Sequence, residues 1–286
     1  MLKSYSVFFT IILIFSINIL TLEKSQAQVF YTDDELGIGV GASSYFGDLN
    51  PDYNITHPKP AVSIFYKNHV HPYISLRAML TYTQLGYKDE WSKNPFQHTR
   101  NLSFESKIFE LSALGEFNFF YFLTGRKENR FTPYLLLGIS AFYYNPYTYM
   151  DSKKYHLKPL GTEGQNLDMY NDRKYSNYAL ALPAGFGIKY WIKPGMNLSI
   201  DFLHRFAFTD YLDDVSTTYV GAKNLGGEHP NNIAAKLADR SIDKIGKNGV
   251  QRGDRSSFDE YFIMQVSLSL QFKTYKCPTR YNTQRF

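Results

Sequence analysis

The chain has 286 residues, a formal net charge of +5 and a single cysteine, which excludes an internal disulfide framework, and its charges are too few and too scattered for a nucleic-acid surface. Aromatic residues reach 17%, with 24 Tyr and 23 Phe, yet mean hydropathy is negative. Beyond the first twenty residues no apolar run is long enough for a spanning helix, which excludes a helical membrane protein.

The opening Met1-Leu2-Lys3 precedes an apolar stretch over residues 7–20 and then Ser25-Gln26-Ala27, which sets small residues on the near side of a cut after Ala27. This is the pattern of a cleavable signal peptide over residues 1–27, and without a cysteine after the apolar run it offers no lipoprotein attachment site. The mature chain is then expected to start near Gln28, with its net charge lowered by one through loss of Lys3, Lys24 and Glu23.

From there the organising signal is alternation with a period of two, the mark of a strand with one apolar and one polar face. Residues 36–47 set Ile38, Val40, Ala42 and Phe46 against Gly37, Gly39 and Gly41; a shorter segment follows at 61–67. Residues 73–83 set Ile74, Leu76, Leu80 and Tyr82 against Ser75, Arg77 and Thr81, and residues 108–119 set Phe109, Leu111 and Phe117 against Glu110, Ser112 and Glu116. Segments 134–144 and 178–191 come next. The clearest cases are residues 197–210, with Leu198, Ile200, Phe202, Phe206 and Phe208 apolar, and residues 261–273, with Phe262, Met264, Val266, Leu268, Leu270 and Phe272 apolar. Such lengths suit a tilted strand crossing a bilayer. Pro183 lies inside the sixth segment, where a missing N–H predicts a bulge.

The connections sort themselves by length. Residues 68–72, 124–130 and 193–195 are short, while 48–60, 88–101, 145–177 and 211–259 are long, and the two kinds alternate. Outer-membrane barrels have short periplasmic turns and long outer loops. The expected fold is therefore all-β: a transmembrane antiparallel up-and-down barrel of about eight strands over residues 28–273. Both termini would be periplasmic, with residues 274–286 as a periplasmic tail and outer-membrane lipid around the wall.

With the apolar faces turned to lipid, Arg77, Glu110, Glu116, Lys189, Asp201 and Arg205 fall inside, three basic and three acidic. Eight strands enclose only enough space for side chains to fill, so these charges are expected to pair as a plug and not to line a pore. Gly37, Gly39 and Gly41 share the inward face and leave room for long charged neighbours; no helix follows them as a dinucleotide fingerprint would require. His204 is the one polar residue on the outward face of the seventh strand. Lipid A deacylases use a His and Ser on such a face, but here Phe206 stands where the serine would be. Asp210, Asp213 and Asp214, with His229 further on, resemble the acid and histidine pairs of outer-membrane proteases only in type, since the three acids crowd one strand end. Residues 232–240 read as a short helix in the last loop, and Arg252-Gly253-Asp254 matches the integrin-binding tripeptide, a match common by chance. These readings give no catalytic residue, no metal ligand set and no cofactor.

Three segments carry a resemblance: Gly39-Val40-Gly41-Ala42-Ser43-Ser44-Tyr45-Phe46-Gly47-Asp48-Leu49-Asn50, Thr209-Asp210-Tyr211-Leu212-Asp213-Asp214-Val215-Ser216-Thr217-Thr218-Tyr219, and Lys276-Cys277-Pro278. Together they resemble the PorG-like outer-membrane barrels. The first is only a glycine-rich strand and turn; the second, with Asp210, Asp213, Asp214 and Tyr219, is the more specific. The resemblance implies a non-enzymatic component of the type IX secretion system, in which the barrel contacts a periplasmic ring made of a lipoprotein and its partner. It places that contact on the short turns and the tail, where Cys277 lies. The reading that stands beside it is a small OmpA-like structural or surface-binding barrel acting through its outer loops.

Overall fold

A computed structural model describes residues 33–122, 130–193, 195–226 and 232–273. The leader, the tail with Lys276, Cys277 and Pro278, and His229 lie outside these residues. The strands in chain order are β1 (Asp33–Phe46), β2 (Lys59–His71), β3 (Ile74–Lys88), β4 (Ser103–Asn118), β5 (Phe131–Tyr143), a short hairpin of β6 (Tyr147–Met150) and β7 (Lys153–His156), then β8 (Tyr178–Lys193), β9 (Met196–Ala207) and β10 (Glu260–Lys273). The eight long strands pair antiparallel in the order β3-β2-β1-β10-β9-β8-β5-β4, and a β3–β4 ladder closes the ring, so no edge is left open. The β6–β7 hairpin adds to the far end of β4 through the Glu105↔Tyr147 pairing.

The period-two pattern dictates the wall. In β1 the side chains of Leu36, Ile38 and Val40 stand outward while Glu35, Gly37 and Gly39 point inward. Val40 is 62% exposed in the middle of the barrel, next to Val62 and Val266, as a residue bathed by hydrocarbon should be. One aromatic band crosses the wall near the long loops, through the paired positions Tyr82, Phe109, Tyr143 and Tyr178. A second, with Tyr73, Phe117, Phe119, Phe131, Tyr190 and Phe272, rings the other end. Amphipathic rings at two levels with aliphatics between them fit two membrane interfaces.

Two expectations are corrected. Pro183 carries no bulge: the β5–β8 register runs unbroken past it, with the ladder merely interrupted opposite Gly138 and Ile139, while on its other side Pro183 stays paired with Arg205. The missing N–H is thus left on one side of the strand, and the bulges fall instead at His69/His71 and Trp191/Lys193, at the short-turn end. The connections also alternate less strictly than their sequences suggest, because 119–130 is as long as 47–58. The start of β1 and the end of β10 lie at the end where β2–β3 and β8–β9 turn tightly.

The interior is filled. Phe65, Met79, Leu114, Tyr134, Leu136 and Leu203 pack mid-barrel. Over the other mouth the loops fold into a lid whose Leu49, Leu102, Leu157, Leu212, Val215 and Leu237 pack with Tyr45, Tyr261 and Ile263 of the wall. The expected helix forms at Ile233–Ala238, capped by the Asn232 side chain on the Ala235 N–H, and buries Leu237 and Ala238 in that lid.

Placing a charge on the mid-wall tests the membrane orientation of the faces. Val40→Arg should cost about 2–4 kcal/mol of stability when unfolding is followed by urea titration in lipid vesicles. A loss near zero would mean that this face meets water.

Candidate functional site

Two polar constellations stand out, one within the barrel and one under the lid. Within the barrel Glu116 is the hub: its carboxylate accepts from Lys189 Nζ at 2.5 Å and from Arg77 Nη2 at 2.7 Å, with Lys67 Nζ at 3.1 Å. Arg77 also donates to Asp201 at 2.9 Å, and Asp201 takes further bonds from Gln265 and the Tyr134 hydroxyl. Nearer the lid Arg205 and Glu110 pair at 3.0 Å, with Tyr261 donating to Glu110. The six residues read inward from sequence are thus all buried and all in this network. Two more belong to it, Lys67 and Glu35, the latter also bonded to His69. Four acids therefore face four bases. Gly37 admits the Phe65 ring, which a Cβ at position 37 would strike, and that ring lies 4.9 Å under the Arg77 guanidinium. The inward glycine thus makes room for an aromatic platform rather than directly for a charge.

The lid is balanced differently. Arg100 forks onto Asp89 at 2.7 and 2.8 Å and donates to the Arg252 carbonyl, and Arg252 pairs with Glu163 at 2.9 Å while reaching the Asp214 carbonyl. The Glu163 carboxylate in turn accepts the backbone N–H groups of Ser216 and Thr217. Two buried arginines thereby tie together the β3–β4, β5–β8 and β9–β10 loops. Asp48, Asp210, Asp213, Asp214 and Asp259 have no ion-pair partner among the described residues. Asp213 Oδ1 accepts from Val215 N–H and Asp259 Oδ2 from Leu212 N–H, so their other oxygens, Asp213 Oδ2 and Asp259 Oδ1, both face the Tyr45 hydroxyl, at 2.6 and 2.7 Å. That hydroxyl holds one proton for two acceptors. The second contact requires a protonated carboxyl.

Burial raises these acids above the ordinary carboxylate range, and their mutual repulsion adds to it. Asp210 is pushed up to about 9 by burial, with Asp48 and Asp213 nearby. Burial also lifts Asp213 beside Asp48, and Asp259 beside Asp213. Asp48 and Asp214 rise to about 6, again through burial, with Arg252 restraining Asp214. Tyr175 and Thr162 hydroxyls donate to Asp214. Tyr219 is buried in the lid, its N–H bonded to the Val250 carbonyl. Among the described residues no three or more His, Cys, Asp or Glu side chains are grouped to hold a metal ion.

The remaining sequence candidates have plain roles. His204 Nε2 is hydrogen-bonded to Glu260 Oε2 at 2.8 Å on the outer wall, with Phe206 and Phe46 as its ring neighbours. Arg252 of the integrin-type tripeptide is only 2% exposed and locked to Glu163, so the triplet is not presented. Sequence reading missed Glu35 and Lys67, although both alternate with outward residues in β1 and β2. It also missed Asp48, Asp89, Arg100, Glu163 and Asp259, which leave no local signature; apart from the Asp89–Arg100 pair, 11 positions apart, their partners lie dozens of positions away.

Comparison with known proteins gives one family and several remote structures. The family described as a domain of unknown function, DUF6089, matches residues 7–225. No curated protein matches the chain. Among solved structures, Ail of Yersinia pestis in complex with the heparin analogue sucrose octasulfate is 10% identical, with a TM-score of 0.40 over 85% of this chain and all of its own. Neisserial surface protein A is likewise 10% identical at 0.40, over 84% of this chain and 97% of its own. OprG from Pseudomonas aeruginosa is 8% identical at 0.37, over 85% and 97%. At such distances no partner or chemistry transfers from them.

Removing the hub should be costly. Glu116→Gln strips Lys67, Arg77 and Lys189 of a shared carboxylate in a dry lumen, and should destabilise the barrel by about 3–5 kcal/mol; heat-modified migration on gels, read as a melting midpoint, reports it. An unchanged midpoint would mean that the lumen is hydrated. The lid should instead respond to pH. A carboxyl whose folded pKa exceeds its unfolded value binds more protons when folded, so the stability it contributes is complete below about pH 4 and is lost as pH rises through the folded value. With Asp48 and Asp214 near 6 and Asp210 near 9, lid protection should fall between about pH 4 and 9. Amide exchange at Leu212, Val215 and Thr217, corrected for intrinsic rates, should show this decline, and Asp210→Asn should flatten its alkaline part. Protection that holds level or grows with pH would refute the shared-proton cluster.

Proposed function

This chain belongs to the DUF6089 family, described as a domain of unknown function, and from that premise we propose that it is a non-enzymatic outer-membrane barrel that anchors a periplasmic ring of the type IX secretion system. The membrane placement is supported by the wall, an aliphatic belt between two aromatic bands, and by the leader-like start of the sequence. The observation that carries the rest is closure. The lumen is filled by paired charges and the mouth by a packed lid, so the molecule offers work at its two ends and not through its middle. The resemblance of residues 209–219 and of Lys276-Cys277-Pro278 supports secretion as that work, with the short-turn end and the tail facing the periplasmic lipoprotein and its partner. The engagement of His204 with Glu260, beside Phe206 and not a nucleophile, supports a role without catalysis.

One observation favours a second reading, surface binding through the lid: the lid is folded and exposes Met169 and Ile242, the latter 92% accessible. Trimming the last loop would not separate the readings, because Leu237 and Arg252 hold the lid together. Substituting Met169→Asp with Ile242→Asp leaves those contacts intact. The surface reading predicts loss of function from this pair and none from deleting residues 274–286, and the secretion reading predicts the reverse.

Co-purification from detergent-solubilised outer membranes tests the main proposal. Recovery with a periplasmic ring lipoprotein, and impaired secretion on deletion of the gene, are the expected outcomes. Recovery free of any secretion component together with normal secretion would overturn it.

A further inference from the structure

Arg240 follows the lid helix and reaches outward over the barrel rim. Its Nη1 donates to Ser103 Oγ at 2.6 Å and to Thr148 Oγ1 at 3.1 Å, and it has no carboxylate ion pair among the described residues. The neighbouring Asp239 is turned into its own loop, bonded to Ser241 and the Gly246 N–H. Arg240 thus holds a half-buried charge that hydroxyls fix in place and that no carboxylate pairs with among the described residues, Asp89 acting on it only electrostatically. A guanidinium in that state is a prepared anion receptor, with a planar fork matched to phosphate oxygens.

The guanidinium lines a recess of about 190 Å³ between the upper ends of β3 and β4 and the β6–β7 hairpin. Lys88 lies at its edge with Nζ over the Trp91 ring, and Trp91 itself is fixed by stacking on His57 at 3.8 Å. Lys59 is the third cation of the recess and is taken by Glu105 at 3.2 Å. Glu105 is also occupied by Gln84 and the Tyr147 hydroxyl, and the other carboxylate, Glu90, is exposed at the rim. Arg240 and Lys88 therefore leave the recess with positive charge beside an aromatic wall.

Its height on the barrel decides what kind of anion fits. The Gly86↔Glu105 pairing beside the recess stands four residues above the Tyr82↔Phe109 pair of the aromatic band. At the rise of a strand tilted in a membrane barrel, that is about 10 Å beyond the band. Below it the same strands line an apolar trough of about 780 Å³, with Val62, Ile64, Leu80, Tyr82, Phe109 and Leu111 among its outward side chains. An apolar trough capped by an unpaired guanidinium matches a molecule with acyl chains beneath and a phosphate at its head.

We propose that this recess and the trough beneath it form a specific site for a phosphate-monoester lipid of the leaflet at the long-loop end. The acyl chains lie against β2, β3 and β4, and the phosphate sits between Arg240 and Lys88. The inference needs only the membrane placement of the wall and is independent of any part in secretion.

The test uses the purified full chain in detergent, offered phosphatidic acid and phosphatidylcholine of identical chains in equal amount, with retained lipid counted by native mass spectrometry. The wild type should retain phosphatidic acid with a preference of about tenfold, the worth of one charge-assisted contact. Arg240→Gln, which keeps a donor for Ser103 and Thr148, should abolish that preference while the heat-modified migration stays unchanged, and Arg240→Lys should restore part of it. Equal retention of both lipids by the wild type, or a preference that survives Arg240→Gln, would overturn the proposal. So would release of the lipid by inorganic phosphate at a concentration comparable to the lipid's own, since the site would then read a free phosphate without its chains.

Discussion

A wall that faces hydrocarbon leaves the chain no outer surface for charge across the thickness of the membrane, and every other feature follows from that constraint. The strands must bond to one another completely, which requires closure. Their polar residues must then turn inward, into a lumen that eight strands make too narrow for bulk water. Charges placed there have only each other. Glu116 accordingly gathers Lys67, Arg77 and Lys189, Asp201 answers Arg77, and Glu110 answers Arg205. Removing any one member strands the rest, because the desolvation of the partners is not reversed by its departure.

The lid obeys the opposite arithmetic. It stands beyond the aromatic band, where water is at hand, and it gathers more acids than bases. Arg100 and Arg252 tie three loops together through Asp89 and Glu163, while burial and mutual repulsion raise Asp48, Asp210, Asp213 and Asp259, and Asp213 and Asp259 share the Tyr45 hydroxyl. The lid's buried acids make it sensitive to pH, so the barrel carries a condition-dependent cover.

The shaft was legible in the sequence because period two is a local property. Leu198 to Phe208 on even positions, or Phe262 to Phe272, need no knowledge of the fold to be sorted into faces, and sorting one face outward sends Arg77, Glu110 and Glu116 inward without further information. Glu35 and Lys67 obeyed the same rule at the margins of weaker segments and were passed over for that reason. The lid could not be read this way. Asp48 meets Asp254 N–H across some two hundred positions, and Arg100 meets the Arg252 carbonyl across 152, so their relation exists only once the barrel has brought four loop bases into one ring. Pro183 shows the limit from another side: a missing N–H demands an accommodation, but whether a bulge or an interrupted ladder supplies it depends on the neighbouring strand.

This division bears on what the 209–219 resemblance can mean. Its acids are knots of the lid: Asp213 and Asp259 share Tyr45, Asp214 holds Thr162 and Tyr175, and Ser216 and Thr217 seat Glu163. Residues so deeply engaged are constrained by the folding of the lid whatever task the barrel performs. A likeness in this segment therefore speaks first to a shared lid architecture. The proposed contact with a periplasmic ring would then fall elsewhere, at the short-turn end, where the tight β2–β3 and β8–β9 turns and the two ends of the barrel sequence meet. Barrels that share the lid but differ at that end are free to differ in partner, and the sequence beyond Lys273, with Cys277, is where the difference between a secretion component and a free-standing barrel has to be sought.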